Sequence, residues 1–258
     1  MQVKSVTVRG IEFGSGMPKI CVPIVGETQE DILQQAVKAL SRKPDCMELR
    51  IDYFLDVADI DKVLYVLRCL RDTIGETVLL FTFRSDKEGG RKAITVADYR
   101  NLCERVCQSG FIDLLDVEAF MQEGLLADMS ELAHTNGIYV VGSNHDFDGT
   151  SEEQEIVKRL QKMDDEGADF PKIAVTPQKE RDVLTLLSAT LKYYEMGGEK
   201  PVITMSMKDM GMISRIAGEI FGSALTFAVI DEASAPGQLP FEWVKEMLSI
   251  LHNKSQEQ

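Results

Sequence analysis

The sequence predicts an α/β fold, a (β/α)8 TIM barrel, formed by all 258 residues as a single domain. Short apolar or alternating runs, which are typical of buried strands, recur along the chain. Segments with apolar residues at helical spacing lie between these runs, and consecutive runs begin roughly 25 to 35 residues apart, the length of one strand–helix unit with its loops. No linker rich in proline, glycine or serine divides the chain. A doubly wound open sheet is the alternative fold.

Eight segments have the character of strands. They are Ile20 to Val25, Cys46 to Ile51, Val78 to Phe83, Leu114 to Val117, Ile138 to Val141, Ile173 to Val175, Val202 to Met205 and Ala224 to Val229. Between them, apolar residues recur three and four positions apart, as in Val63, Val66 and Leu67, which is the spacing of one helix face. Outside the barrel we expect a short extra N-terminal strand or hairpin at Val3 to Val8, and a charged tail after His252.

Composition and charge exclude several classes of function. With 44% hydrophobic and 27% charged residues, the chain resembles ordinary globular proteins. Its formal net charge of -14 repels phosphate backbones and anionic lipids, and no local basic patch offsets it, so we expect no nucleic-acid or membrane partner. Met1 to Gly10 contains no long apolar run, which argues against a signal peptide or spanning helix and favours a cytoplasmic protein.

The cysteines do not indicate a metal or redox site. There are five, an odd number, and none form a C-x-x-C pair. Cys103 and Cys107 lie one helical turn apart, but two ligands alone make a weak site. The sequence therefore predicts buried free thiols.

Polar residues cluster where a barrel places its catalytic groups, at the carboxyl ends of strands. In the second predicted strand, alternation puts Glu48, Arg50 and Asp52 on one face, inside the barrel or at its mouth. The alternative is an interior salt bridge with a purely structural role.

The third and fourth strands continue this pattern. Arg84 and Glu88 follow the third strand, in a segment whose glycines at 89 and 90 permit a tight or mobile loop. Asp116 and Glu118 alternate on the fourth strand and add carboxylates to the barrel interior.

A histidine follows the fifth strand. His145 is one of three histidines, and its position at the catalytic end makes it the candidate for acid/base chemistry. The alternative is that it is an ordinary loop histidine on the surface. That interpretation fits His134, in a helix-like segment, and His252, near the tail.

Lys172 is the least ordinary residue of the chain. It lies in Phe170 to Val175, a strand otherwise built for burial, and lysine is almost never fully buried without a partner or a purpose. Burial and nearby cations disfavour the ammonium form of a lysine, and the free amine is a nucleophile toward carbonyls. The pattern indicates Schiff-base chemistry, and a lysine that snorkels to solvent at the strand start is the alternative.

Seven segments together resemble the type I 3-dehydroquinate dehydratases of the shikimate pathway. They are MPKICV at 17–22, ELRID at 48–52, LLFTFRSDKEGG at 79–90, SNHDF at 143–147, PKIAV at 171–175, ITMSMKDMGMISRIAGEIFGSALTF at 203–227 and EASAPGQ at 232–238. The match covers nearly the whole chain. The resemblance implies a (β/α)8 barrel, usually a homodimer, that dehydrates the small-molecule substrate 3-dehydroquinate to 3-dehydroshikimate and uses no metal or organic cofactor.

The resemblance also implies roles for individual residues. Lys172 would form the Schiff base, His145 would act as general acid and base, and Glu88 would position His145. The implied substrate-binding residues are Glu48, Arg50, Arg84, Arg215, Ser234 and Gln238. One position departs from the family: Pro23 stands where many members have a serine, which puts a peripheral hydrogen bond to substrate in doubt.

Two other functions compete with this one. A class I aldolase on the same barrel would also use a strand lysine, but the glycine-rich phosphate loops that such enzymes often carry after the seventh and eighth strands are not found. A non-catalytic binding protein could keep the barrel without the chemistry. Retention of Lys172, His145 and Glu88 together argues against it.

Overall fold

The computed structural model describes residues 3–230 and 237–256, with side chains described to residue 253. The chain begins with an antiparallel hairpin of β1 (Val6–Val8) and β2 (Ile11–Phe13). The strands that follow are β3 (Lys19–Ile24), β4 (Cys46–Arg50), β5 (Val78–Thr82), β6 (Leu114–Glu118), β7 (Tyr139–Asp146), β8 (Phe170–Val175), β9 (Ile203–Ser206), β10 (Leu225–Val229) and β11 (Leu239–Pro240).

Strands β3 to β10 form a parallel barrel in sequence order. Each pairs with the next from β3 to β9, and β10 pairs with β3. The ring closes between β9 and β10, where the Ala224 N–H donates to the Val202 carbonyl at 2.8 Å and Val202 bridges Ser223. This closure excludes the open sheet and confirms the predicted barrel, and β11 adds a short parallel pairing at the carboxyl end of β10.

Helices alternate with the strands. They are α1 (Gln29–Leu40), α2 (Ile60–Ile74), α3 (Val96–Cys107), α4 (Leu125–Thr135), α5 (Glu153–Asp165), α6 (Glu180–Glu195), α7 (Ile213–Ile216), α8 (Gly218–Phe221) and α9 (Phe241–Gln256). The predicted spacing explains how they pack: α2 buries Val63, Val66 and Leu67 against the barrel. The Asp59 carboxylate accepts from two N–H groups of the first turn of α2 and so fixes where this helix begins.

The N-terminal hairpin lies against one end of the barrel. Val8 and Phe13 are buried in an apolar cluster with residues at the amino ends of the strands, and the Phe13 and Phe170 rings meet edge to face at 5.5 Å. Arg9 pairs with Asp113 at 2.6 Å and holds the hairpin in place. Because apolar side chains fill this end, the space for polar chemistry lies at the carboxyl ends of the strands.

The structure corrects three predicted boundaries. The first strand begins at Val6 and not at Val3, and α9 continues to Gln256, into the segment after His252 that was predicted as a tail. Strand β7 extends to Asp146, whereas the apolar run predicted its end at Val141. The extra residues pair with β8, with Ser143 opposite Lys172, so backbone pairing continues through a polar stretch. No helix among the described residues is long and apolar enough to span a membrane.

Candidate active site

Lys172 lies at the centre of the barrel. Alternation along β8 turns Lys172 and Ala174 into a central cavity, while Ile173 and Val175 pack outward in the main core. The lysine is 3% exposed, which rules out a snorkelling side chain. Its Nζ lies 4.9 Å from the centre of the Phe227 ring, at the apolar side of the cavity.

Carboxylates, rather than arginines, are the close charged partners of Lys172. Its Nζ donates to Asp116 Oδ2 at 3.2 Å and lies 4.0 Å from Glu48 Oε1. The Thr82 hydroxyl donates to the same Glu48 oxygen at 2.9 Å. Two carboxylates therefore face the end of this side chain.

His145 and Glu88 form a hydrogen-bonded pair at the edge of the cavity. His145 Nδ1 lies 2.9 Å from Glu88 Oε2, and the backbone N–H of His145 donates to the same oxygen at 3.0 Å. Asn144 donates to the other Glu88 oxygen at 3.3 Å. A carboxylate that accepts these bonds favours the proton on Nδ1, which leaves Nε2 of His145 able to accept a proton. His145 lies within β7, not in a loop as the sequence predicted.

Burial and charge set the protonation of this pair. Burial lowers the pKa of His145 well below its usual value, and Arg84, Lys172 and Arg50 act in the same direction. The imidazole is therefore neutral at pH 7, as a general base requires. Burial raises the pKa of Glu88 to about 7, against the opposing effect of Arg84 at 3.6 Å.

This raised pKa predicts a pH-dependent stability. Glu88 contributes stability that is present below its unfolded pKa and lost as the pH rises through about 7. We therefore expect Glu88→Gln to gain about 2 to 3 kcal/mol relative to the unsubstituted protein between pH 5 and pH 8. Urea unfolding of both proteins at the two pH values measures this difference. If the two proteins differ in free energy of unfolding by the same amount at pH 5 and at pH 8, the carboxylate does not titrate in this range.

Arg84 follows β5 and bonds to side chains on β6 and β7 at the cavity wall. Its guanidinium lies 2.7 Å from Asp116 and 3.1 Å from Glu118, both on β6, and donates to the Ser143 hydroxyl on β7 at 2.9 Å. Burial would raise the pKa of Asp116, but Arg84 and Lys172 hold it below its usual value. Asp116 is therefore an anion that fixes the position of the Lys172 side chain.

We expect Arg84→Ala to destabilise the fold by about 3 to 5 kcal/mol, because it leaves buried carboxylates without their cation. Arg100→Ala is the control, since Arg100 pairs with Asp128 at 2.8 Å on the partly exposed surface of α3 and α4. Loss of that surface pair should cost about 1 kcal/mol or less. Urea unfolding measures both, and equal losses would contradict the network.

The cavity has a polar wall and an apolar wall. The lining residues are Glu48, Arg50, Arg84, Glu88, Gly89, His145, Phe147, Lys172, Ala174, Met205, Met207, Phe227 and Gln238. An amine, an acid/base pair and two guanidinium groups therefore face one space, which suits an anionic substrate with a carbonyl group.

The structure brings most of the predicted site residues together, with two exceptions. Lys172, His145 and Glu88 share the cavity with Glu48, Arg50, Arg84 and Gln238. Arg215 is buried on α7, 1% exposed, and is not part of the cavity wall; burial lowers its pKa to about 10. Ser234 lies outside the described residues.

The remaining residues named from the sequence do not line the cavity. Pro23 is buried on β3 opposite Glu48, so the position that departs from the family pattern is next to the site. His134 pairs with Asp169 at 2.8 Å, away from the cavity lining.

All five cysteines are free and four are buried, while Cys69 is half-buried, which departs from the expected burial. The described residues contain no group of three or more His, Cys, Asp or Glu side chains suited to a metal ion.

Sequence reasoning missed part of the site. Asp116 and Glu118 were recognised as interior carboxylates, but the contacts of Asp116 with both Lys172 and Arg84 were not predicted. Met205, Met207 and Phe227 form the apolar wall, and no sequence signal separates them from other strand residues that face the helices.

The fold and the cavity together define a class of protein: a (β/α)8-barrel enzyme built around a buried lysine amine and a histidine–glutamate pair. The family model described as type I 3-dehydroquinase matches residues 20–255. The chain belongs to this family, as its motifs predicted. Members of the family are hydro-lyases, so the predicted class of enzyme is confirmed as well.

Relatives match over almost their full length. The 3-dehydroquinate dehydratase of Clostridioides difficile strain 630 is 46% identical over 249 residues, which cover 96% of this chain and 98% of that protein. The 3-dehydroquinate dehydratase of Listeria monocytogenes EGD-e is 46% identical over 252 residues, covering 98% and 100%.

Solved structures agree with the fold. The crystal structure of the type I enzyme from Clostridium difficile with covalently modified comenic acid superposes with a TM-score of 0.94 at 45% identity, covering 98% of this chain and 99% of that one. The 3-dehydroquinate dehydratase of Geobacillus kaustophilus gives a TM-score of 0.94 at 40% identity, with 97% of each chain covered.

Proposed function

We propose that this protein dehydrates 3-dehydroquinate to 3-dehydroshikimate, in the shikimate pathway, through a Schiff base on Lys172. The observation that carries the proposal is the buried amine of Lys172, which opens into the same cavity as the hydrogen-bonded His145–Glu88 pair. Relatives at 46% identity bear the name 3-dehydroquinate dehydratase. A relative at 45% identity was solved with covalently modified comenic acid, which supports covalent chemistry in the family.

The reaction begins at the substrate ketone. The amine of Lys172 adds to the carbonyl carbon to give a carbinolamine, and its hydroxyl takes up a proton from solvent and leaves as water, which gives an iminium ion. Asp116 and Glu48, at 3.2 and 4.0 Å from Nζ, stabilise this cation. The iminium withdraws electrons from the neighbouring carbon and makes its proton acidic.

His145 carries out the proton transfers. Its Nε2 removes the proton from C2, the electron pair moves into the iminium, and an enamine forms. The protonated imidazole then donates to the C1 hydroxyl, which leaves as water while the enamine electrons form the new double bond. A further water hydrolyses the conjugated imine and releases product and Lys172, so the net change is loss of one water. Glu88 holds Nδ1 of His145 throughout.

The cavity wall supplies the substrate contacts. Arg50, Arg84 and Gln238 offer donors to carboxylate and hydroxyl groups, and Glu48 offers an acceptor. The carboxylate clamp expected at Arg215 and the hydroxyl contact expected at Ser234 stay predictions. As the resemblance implies, the proposal includes one barrel domain, a homodimer and no metal or organic cofactor.

A direct assay tests the proposal. Purified protein and 3-dehydroquinate should give growing enone absorbance, because dehydration conjugates the new double bond with the carbonyl. Aldol substrates serve as the comparison, since a class I aldolase would cleave those instead. Absence of enone absorbance with folded protein would exclude the proposed function.

A further inference from the structure

Asp52 is a fully buried carboxylate next to the site, and the proposed mechanism gives it no role. It lies in the short 3-10 turn Ile51–Tyr53 directly after β4 and is 0% exposed. Its two oxygens accept from Nε and Nη2 of Arg50 at 2.8 and 2.9 Å. This two-pronged bond fixes the direction from which the Arg50 guanidinium faces the cavity. Strand β4 ends at Arg50, so Asp52 lies in the turn that follows the strand and not on the strand itself.

The same carboxylate also holds both ends of the loop after β5. The backbone N–H of Arg84 donates to Oδ1 at 3.4 Å, and that of Arg91 donates to Oδ2 at 3.1 Å. Glu88 lies between these two anchor points. Asp52 therefore contacts both the strand that carries Arg50 and the loop that carries the partner of His145.

This loop is tightly closed on itself. The Gly90 N–H donates to the Ser85 carbonyl at 2.8 Å, and the Asp86 N–H donates to the Lys92 carbonyl at 3.1 Å. A Cβ on Gly90 would lie 1.8 Å from the Arg84 carbonyl oxygen, so only glycine fits there. A closed loop moves as a unit, and a shift at the Asp52 anchor would be transmitted to Glu88.

A second contact joins the same two segments. The Tyr53 ring lies 5.2 Å from the Arg50 guanidinium and 4.9 Å from that of Arg91. Both cations stack on a residue of the turn that contains Asp52. The turn, the substrate-facing arginine and the loop thus form one packed unit.

We propose that Asp52 is a positioning residue that sets the Arg50 guanidinium relative to the Glu88–His145 pair, and so aligns the substrate with the base that acts on it. This inference rests on the proposed function. Asp52 does not line the cavity; it acts through Arg50 and through the loop of residues 84–91. Both partners must be aligned for proton transfer, and small misplacements of reacting groups cost rate steeply.

Asp52→Asn tests the inference. The amide replaces one acceptor oxygen with an NH2 donor, which faces N–H groups of Arg50, Arg84 or Arg91 and cannot bond to them. We expect KM for 3-dehydroquinate to rise about 10-fold to 100-fold through Arg50, and kcat to fall about 10-fold or more through Glu88.

Asp113→Asn is the matched control. Asp113 is a half-buried carboxylate that also accepts from two arginines and a backbone N–H, with Arg9 and Arg71 at 2.6 Å and the Leu79 N–H at 2.8 Å, but it lies at the hairpin end of the barrel. We expect this variant to lose stability and to keep kcat and KM within about twofold, because no substrate group is near it.

A double variant separates the effect of Asp52 on KM, through Arg50, from its effect on kcat, through the loop that carries Glu88. Arg50→Ala alone removes the effect through Arg50. Adding Asp52→Asn to that variant should therefore leave KM unchanged and lower kcat further. An unchanged kcat would overturn the role of Asp52 in the loop. If Asp52→Asn does not fold, Asp52→Glu, which keeps the charge but displaces the carboxylate, is measured in its place with the same expected changes.

The failure of this inference differs from failure of the proposed function. Unsubstituted protein that does not turn over 3-dehydroquinate refutes the function. Active unsubstituted protein, with an Asp52→Asn variant whose KM and kcat match those of Asp113→Asn, refutes only the positioning role.

Discussion

Lys172→Ala is expected to lower kcat for 3-dehydroquinate by about 10⁴-fold or more, the largest effect of any single substitution. The proposed route passes through a covalent iminium on this amine, and without the amine no electron sink forms next to C2. Arg50 and Arg84, which line the remaining cavity, should still bind substrate, so KM should change far less than kcat. The enone absorbance assay measures both constants.

Lys200→Ala is the control for charge and stability. Lys200 also faces a carboxylate, with Nζ 3.7 Å from Asp169, but it lies at the opposite end of β8 from the cavity mouth. Its loss should leave kcat within about twofold. Asp116 keeps Arg84 and Ser143 as partners in Lys172→Ala, so that variant should still fold, as circular dichroism and urea unfolding would show. A folded Lys172→Ala that keeps its turnover would end the Schiff-base account.

His145→Ala is expected to lower kcat by about 10²-fold to 10⁴-fold, the range typical for loss of a general acid/base. Attack on the ketone uses Lys172 and not the imidazole, so the iminium should still form and should accumulate. Borohydride added with substrate should therefore still reduce an adduct onto Lys172 in this variant. Kinetics and intact-protein mass measured on the same sample separate the two steps.

His134→Ala provides the matched histidine control. His134 is paired with a carboxylate as His145 is, with Nε2 2.8 Å from Asp169, but it lies on α4 outside the cavity lining. We expect it to keep full turnover. If His145→Ala and His134→Ala have the same kcat, His145 is not the acid/base group.

The barrel could be predicted from sequence because its signals are local and periodic. Strands such as β5 begin with a continuous apolar run, here residues 78–81, and helices such as α2 repeat apolar residues at helical spacing. The end of β7 could not be predicted in this way. Ser143, Asn144 and His145 in this last stretch are polar and bond to Asp116 and Glu88, which are distant in sequence.

The sequence predicted which residues form the site but not how they contact one another. Alternation indicated that Glu48 and Arg50 face the barrel interior, and the family motifs supplied Lys172, His145 and Glu88. The pairing of Lys172 with Asp116, and of Asp52 with two chain segments, depends on contacts more than 30 positions apart in sequence. Such contacts follow from strand register and loop closure, which no local pattern encodes.

The mass of the protein after borohydride reduction in the presence of 3-dehydroquinate shows whether a Schiff base forms on Lys172. The proposed mechanism predicts one reduced adduct per chain, located on the peptide that contains Lys172, and no adduct without substrate or in Lys172→Ala. Active protein that shows no adduct, or an adduct on a different residue, would contradict it.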